Sequence, residues 1–129
     1  MNVSQVSQVT QKLQVARNLV AQGWIAGGHV SLGTDGLRRY CARGALNKAF
    51  FGRATSQAEM TPDDELRLAQ RLLAEAMHGS VLDGSDATAI RHAISTWNDS
   101  RAGRNPKAHV LAAFDMAIAE CQRLEAHAE

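Results

Sequence analysis

Val6, Val9, Leu13, Ala16 and Val20 recur at steps of three and four residues, while Gln5, Gln8, Gln11, Lys12 and Asn18 occupy the positions between. That spacing puts the apolar side chains on one stripe of a helix. It predicts a helix from about Ser4 to Gln22. Gly23 reads as its stop, because glycine accepts the left-handed conformation without a Cβ clash. Trp24 follows as a large apolar anchor able to fold back. The rhythm lapses over Ile25–Gly36, IAGGHVSLGTDG, where four of twelve residues are glycine. The piece HVSL, then GTDG, then a returning LRRY predicts either a short β-hairpin or an ordered glycine-rich loop.

Helical spacing resumes from Tyr40 to Phe51, with Cys41, Ala45, Leu46, Ala49 and Phe50 on one side. Gly44 inside that segment costs about 1 kcal/mol of helix propensity against alanine. A tight crossing with another helix would explain it. Gly52 to Met60 reads as a mobile connection. Thr61–Pro62 reads as a cap followed by a first-turn proline, with Asp63, Asp64 and Glu65 complementing the helix dipole. Leu66, Ala69, Leu72, Leu73, Ala76 and Met77 supply the buried stripe, and Gly79 ends it. Asp86 is the expected cap of a helix carrying Ile90, Ala93, Ile94 and Trp97 inward. Asn105–Pro106 repeats the cap-and-proline device before Val110, Leu111, Phe114, Ile118, Cys121 and Leu124. The fold class expected is all-α: a compact bundle of about five helices, with a glycine-rich loop or short β-hairpin between the first two. No repeat of 20–50 residues is visible. The length of 129 residues fits one helical domain over residues 1–129.

Composition narrows the classes. With 45% hydrophobic and 21% charged residues the chain is globular in type. No apolar run approaches the roughly 18 residues of a membrane span. The first residues lack the cationic region and apolar block of a signal peptide. Cys41 and Cys121 make no disulfide framework, so a cytoplasmic location is expected. A net charge of +1 argues against a general coat for polyanions. The charge is uneven, however. Between Trp24 and Arg53, Arg38, Arg39, Arg43, Lys48 and Arg53 stand against Asp35 alone, a net +4. Between Ala54 and Asp99 eight acids stand against three arginines, a net −5. Solvated faces with internal ion pairs are the plain reading of such asymmetry.

Three pieces carry candidate chemistry. The stretch GGHVSLGTDGLRRYCARG offers approachable glycine backbone and three arginines, Arg38, Arg39 and Arg43, suited to a phosphate. It has neither the GK[ST] of a P-loop nor a dinucleotide GxGxxG between strand and helix. Cys41 near a helix start and beside those arginines is a candidate thiolate, with His29 as its base; a cysteine packed as a small apolar residue is the ordinary alternative. In TWNDSRAGRNP, Trp97 closes an apolar stripe, and Asn98 and Asp99 can bond free backbone where a helix stops. Alternatively Trp97, Asn98, Asp99 and Arg101 line a pocket edge with the basic loop. His29, His78, His92, His109 and His127 form no HxxxH or HExxH pair, so no metal and no cofactor are expected. LRRYCARGALNK is the one segment resembling a recognition helix. Its Gly44 and its apolar Ala45–Leu46 pair argue against sequence-specific DNA binding.

The succession of Gly23–Trp24, a glycine-rich loop, Cys41-Ala42-Arg43-Gly44-Ala45-Leu46, Trp97-Asn98-Asp99 and Phe114-Asp115-x-Ala117-Ile118 resembles a family of small uncharacterised proteins. This domain of unknown function occurs in actinobacteria, other bacteria and bacteriophages. Arg43 departs from the C-A-L-G-A-L common in that family. The resemblance implies a compact, mainly helical domain and no particular reaction. Its phage association suggests an accessory or host-interaction role. The leading expectation is a small non-catalytic binding protein. Its partner would be an anionic small molecule, such as a nucleotide-like signal, or an acidic protein surface. In a phage or mobile element it would act on a host factor or sequester a defence signal. One alternative is a hydrolase or transferase using Cys41 and His29 on a phosphorylated or nucleotide substrate. Another is an oligomerising module whose first helix could pair with its copy in a homodimer.

Overall fold

The computed structural model describes residues 1–60, 63–79, 86–100 and 105–128. It contains five α-helices: α1 (Val3–Gln22), α2 (Ala42–Phe51), α3 (Asp64–His78), α4 (Ala87–Asp99) and α5 (Pro106–Ala126). Strands β1 (Val30–Leu32) and β2 (Arg38–Tyr40) form an antiparallel hairpin between α1 and α2, and a 3-10 turn spans Ser56–Met60. The architecture is the expected all-α bundle, and the glycine-rich stretch resolves as a hairpin.

The apolar stripe of α1 forms the centre. Val6, Val9, Leu13, Ala16 and Val20 are buried, and α1 packs along α5 and against α2. From α5 come Val110, Phe114, Ala117, Ile118 and Cys121. Helix α3 covers α5 and also contacts α4, so the buried apolar side chains join one cluster. The start of α1 is a capping box: Gln5 N–H donates to Asn2 Oδ1 at 2.9 Å, and Asn2 N–H donates to Gln5 Oε1 at 3.0 Å. No helix among the described residues is long and apolar enough to cross a membrane.

The hairpin follows its sequence closely. Gly33 N–H donates to the Leu37 carbonyl at 2.8 Å, leaving Thr34, Asp35 and Gly36 as a three-residue loop. Gly36 has φ of 80°, the left-handed position that such loops require. Asp35 Oδ1 accepts from Leu37 N–H at 3.0 Å.

Five local expectations change. Gly23 ends α1 in an extended conformation, φ −178°, and not in a left-handed one. Its missing side chain matters for space: a Cβ there would lie 2.7 Å from Arg39 Cγ and 3.1 Å from the Arg38 carbonyl oxygen. Gly44 likewise permits a close approach, but to backbone of the glycine-rich segment instead of a helix; a Cβ would fall 2.0 Å from the His29 carbonyl oxygen. The cap of α3 is Asp63, whose Oδ1 accepts from Leu66 N–H at 2.7 Å. Asp64 then opens the helix, and the expected Thr61–Pro62 start lies outside the described residues. Asn105 is at the expected start of α5, but with φ 45° and no side-chain cap bond. Finally, Gly52 to Met60 is no plain connection, because its second half winds into the 3-10 turn and contributes a buried carboxylate, Glu59.

Candidate functional site

The three motifs meet where the glycine-rich segment, the start of α2 and the end of α4 come together. Asn98 makes the junction. It is fully buried near the end of α4. Its Oδ1 accepts from the Trp24 indole N–H at 2.8 Å and from Ala42 N–H at 3.0 Å. Its Nδ2 donates to the Ile25 carbonyl at 3.1 Å and to Asp99 Oδ1 at 3.2 Å. Every polar capacity of one carboxamide is thereby used to tie three segments together. Asp99 extends the tie, since its Oδ1 also accepts from Gly27 N–H at 2.9 Å.

Cys41 caps α2, its sulfur accepting from Gly44 N–H at 3.2 Å. Its own N–H donates to the His29 carbonyl at 3.2 Å. These bonds place Gly27, Gly28, His29, Cys41, Ser95 and Asp99 around a crevice of about 200 Å³. His29 Nε2 is buried and has no hydrogen-bond partner among the described residues. Burial depresses the His29 pKa below its ordinary 6.5, and the Arg43 charge adds to this against Glu59. The imidazole is therefore neutral near pH 7. Burial pushes the Cys41 thiol up, against the backbone N–H groups of Gly44 and Arg43. The helix start and the arginines do not outweigh desolvation, so the expected thiolate is disfavoured. No hydrogen bond joins Cys41 to His29 through their side chains.

The arginines are dispersed. Arg38 and Arg39 are consecutive on β2 and so point to opposite faces. Arg38 lines a shallow hollow with Gln22, Gly36, Leu37 and Tyr40. Arg39 pairs with Asp35, Nη2 to Oδ2 at 2.8 Å. Arg43 is claimed by Glu59 through Nε–Oε2 at 2.6 Å and Nη2–Oε1 at 2.5 Å, and its Nη1 donates to Ser95 Oγ at 3.4 Å. The Glu59 side chain is only 3% exposed and also accepts from Gln70 Nε2 at 3.0 Å. Trp97 packs half-buried against the core. Arg101 lies outside the described residues. The structure thus brings Cys41, His29, Asn98 and Asp99 together, and separates Arg38 from Arg39 and Arg43.

Ser95 and Glu59 are the site neighbours that sequence reasoning missed. Ser95 lies one helical turn before Asp99, so a helical projection of α4 from the WND motif would have found it. Glu59 carries no such signal; it follows Arg43 by sixteen positions with a chain reversal between. Among the described residues no group of three or more His, Cys, Asp or Glu side chains could hold a metal. A larger cavity of about 510 Å³ between α3 and α4 contains none of the motif residues.

A family model described as a family of unknown function, DUF6197, matches residues 5–120. No curated protein and no solved structure matches the chain.

Proposed function

The chain belongs to the DUF6197 family of unknown function, and we propose that it is a small binding protein with no chemistry of its own. Its ligand would enter the crevice at His29, Cys41, Ser95 and Asp99. The observation that carries this reading is the buried Nε2 of His29, without a partner among the described residues, at a crevice where the glycine-rich, CARGAL and WND segments converge. A buried polar atom without a partner costs about 1–3 kcal/mol, and a ligand that bonds it recovers that cost.

The lining favours a ligand that donates hydrogen bonds. Asp99 offers a carboxylate, Ser95 a hydroxyl and neutral His29 an imidazole nitrogen. An amine, an amide or the exocyclic edge of a nucleobase suits these groups better than a bare phosphate does. A volume of about 200 Å³ takes a small molecule or one end of a larger one. A nucleotide-like signal would thus be met by its base, with Arg38 the one of the three arginines that has no ion pair among the described residues. In a phage or mobile element, such capture would sequester a host signal. The hydrolase or transferase alternative is less favoured, because the thiol is held protonated and lacks an imidazole bond.

Ligand-observed NMR with adenine, cytosine, simple amines and inorganic phosphate tests the proposal. A donor-bearing probe should bind wild type and lose at least tenfold in affinity in His29→Phe or Asp99→Asn with unchanged folding. Binding of phosphate alone, abolished by Arg38→Ala, would overturn the crevice assignment. Turnover of a nucleotide substrate lost in Cys41→Ser would overturn the non-catalytic reading.

A further inference from the structure

The cavity of about 510 Å³ between α3 and α4 falls in the size range of small-molecule sites, roughly 300–1,000 Å³. Its lining divides by chemistry. Leu68 from α3 and Ala87 and Ile90 from α4 supply apolar surface, and Arg67, Gln70 and Arg71 supply polar groups. Positions 67, 70 and 71 are three and four residues apart on one helix, so their side chains are neighbours on a single face.

The charge of this lining runs against its surroundings. Between Ala54 and Asp99 eight acids accompany three arginines. Two of those arginines line the cavity, and among the described residues none of the acids does. Arg71 pairs with Glu75, Nε to Oε1 at 3.0 Å. Arg67 is exposed and has no ion pair among the described residues; Asp63, one turn before it, is turned to the Leu66 N–H instead. Gln70 is only 2% exposed. Its Nε2 donates to Glu59 Oε2 at 3.0 Å. A carboxylate paired with Arg43 can only accept, so the amide nitrogen must face it and Oε1 is the atom left over. That oxygen has no hydrogen-bond partner among the described residues. Buried polar atoms are satisfied as a rule, so a carbonyl oxygen left over at a cavity calls for a donor from outside the chain.

We propose that this cavity binds a small organic acid with an apolar body and a hydrogen-bond donor, N–H or O–H, on the carbon next to the acid group. Arg67 takes the carboxylate, whose two oxygens match the guanidinium fork. Gln70 Oε1 accepts from the neighbouring donor. The apolar body lies on Leu68, Ala87 and Ile90. Inorganic phosphate suits the site poorly, because it would set a strongly hydrated ion against apolar surface and leave no apolar contact. The site shares no lining residue with the His29 crevice and does not depend on it.

The test titrates the full chain with N-acetylleucine and 2-hydroxy-4-methylpentanoate, which carry the acid, the donor and the apolar body, and reads the Ala87 and Ile90 methyl signals by NMR. At least one of the two should give saturable shifts; binding of one alone names the donor as N–H or O–H. N-acetylleucinamide, which lacks the charge, should bind at least tenfold more weakly, and 4-methylpentanoate, which lacks the donor, at least threefold more weakly. Arg67→Ala should weaken the acid at least tenfold, and Arg67→Glu should abolish its binding; both change an exposed side chain and leave the core intact. His29→Phe should leave it unchanged. The absence of saturable shifts with both acids at millimolar concentration would overturn the proposal. So would equal binding of acid and amide, which would reduce the site to apolar contact, or loss of the acid in His29→Phe, which would move it to the crevice.

Discussion

Asn98 concentrates more of the site's geometry than any other side chain. Its carboxamide serves Trp24 Nε1 and the Ile25 carbonyl from the chain after α1 and the Ala42 N–H at the start of α2. Asn98→Ala leaves those groups unpaired in a buried place. We expect a loss of about 3 kcal/mol or more, several times the value of an average hydrogen bond, measured by urea denaturation. Gly44 makes an independent case. Gly44→Ala forces a Cβ into the His29 carbonyl oxygen, where neither backbone can yield cheaply. It should destabilise by about 2–4 kcal/mol although alanine is the better helix former. His29 gives a dependence on pH. Its folded pKa lies below the ordinary 6.5. Between the folded value and 6.5 the unfolded chain therefore binds more protons than the folded one. Stability should fall as pH drops through 6.5 toward the folded value, and level off below it. His29→Gln should shrink that slope, and the His29 ring protons should titrate below 6.5 by NMR.

At the scale of elements, the stops and starts were harder to read than the helices. The stripes of α1, α3 and α4 follow directly from their spacing, because periodic burial is a property of one segment. Caps depend on which of several adjacent polar residues reaches the free N–H groups. Thr61 and Asp63 both suit that role by type, and Asp63 is the one that bonds Leu66. Asp63→Ala should therefore cost about 1 kcal/mol in chemical denaturation. Asn105 has the right position but a left-handed backbone that turns its side chain from the cap role. HVSL-GTDG-LRRY offered a hairpin beside an ordered loop because the turn chemistry is local, and the pairing of Val30–Leu32 with Arg38–Tyr40 decides for the hairpin. Its alliance with the chain after α1 was not legible, since it joins Tyr40 to Gly23 and Ile25, 17 and 15 positions earlier, and has no pattern of its own.

Across the whole molecule, the acidic and basic halves are interleaved at particular points. Arg43 from the basic segment and Glu59 from the acidic one form a nearly enclosed pair, braced by Gln70 and Ser95. Removing one partner of such a pair strands a charge away from water. Glu59→Gln should cost about 3 kcal/mol, and pairing it with Arg43→Leu, which removes the stranded charge, should recover a large part of it. A thermal-denaturation double-mutant cycle checks this.

By itself the sequence determined the helices, a glycine-rich hairpin or loop between the first two, and the three segments worth watching, because amphipathic period, glycine content and turn residues act over a few neighbouring positions. Only the tertiary structure decided what those segments do to one another. It set the carboxamide of Asn98 between Trp24 and Ala42, gave Arg43 to Glu59, and left His29 Nε2 without a partner among the described residues. Those outcomes rest on distances between residues far apart in the chain, and electrostatic and hydrogen-bond energies are fixed by distance and burial, not by residue type.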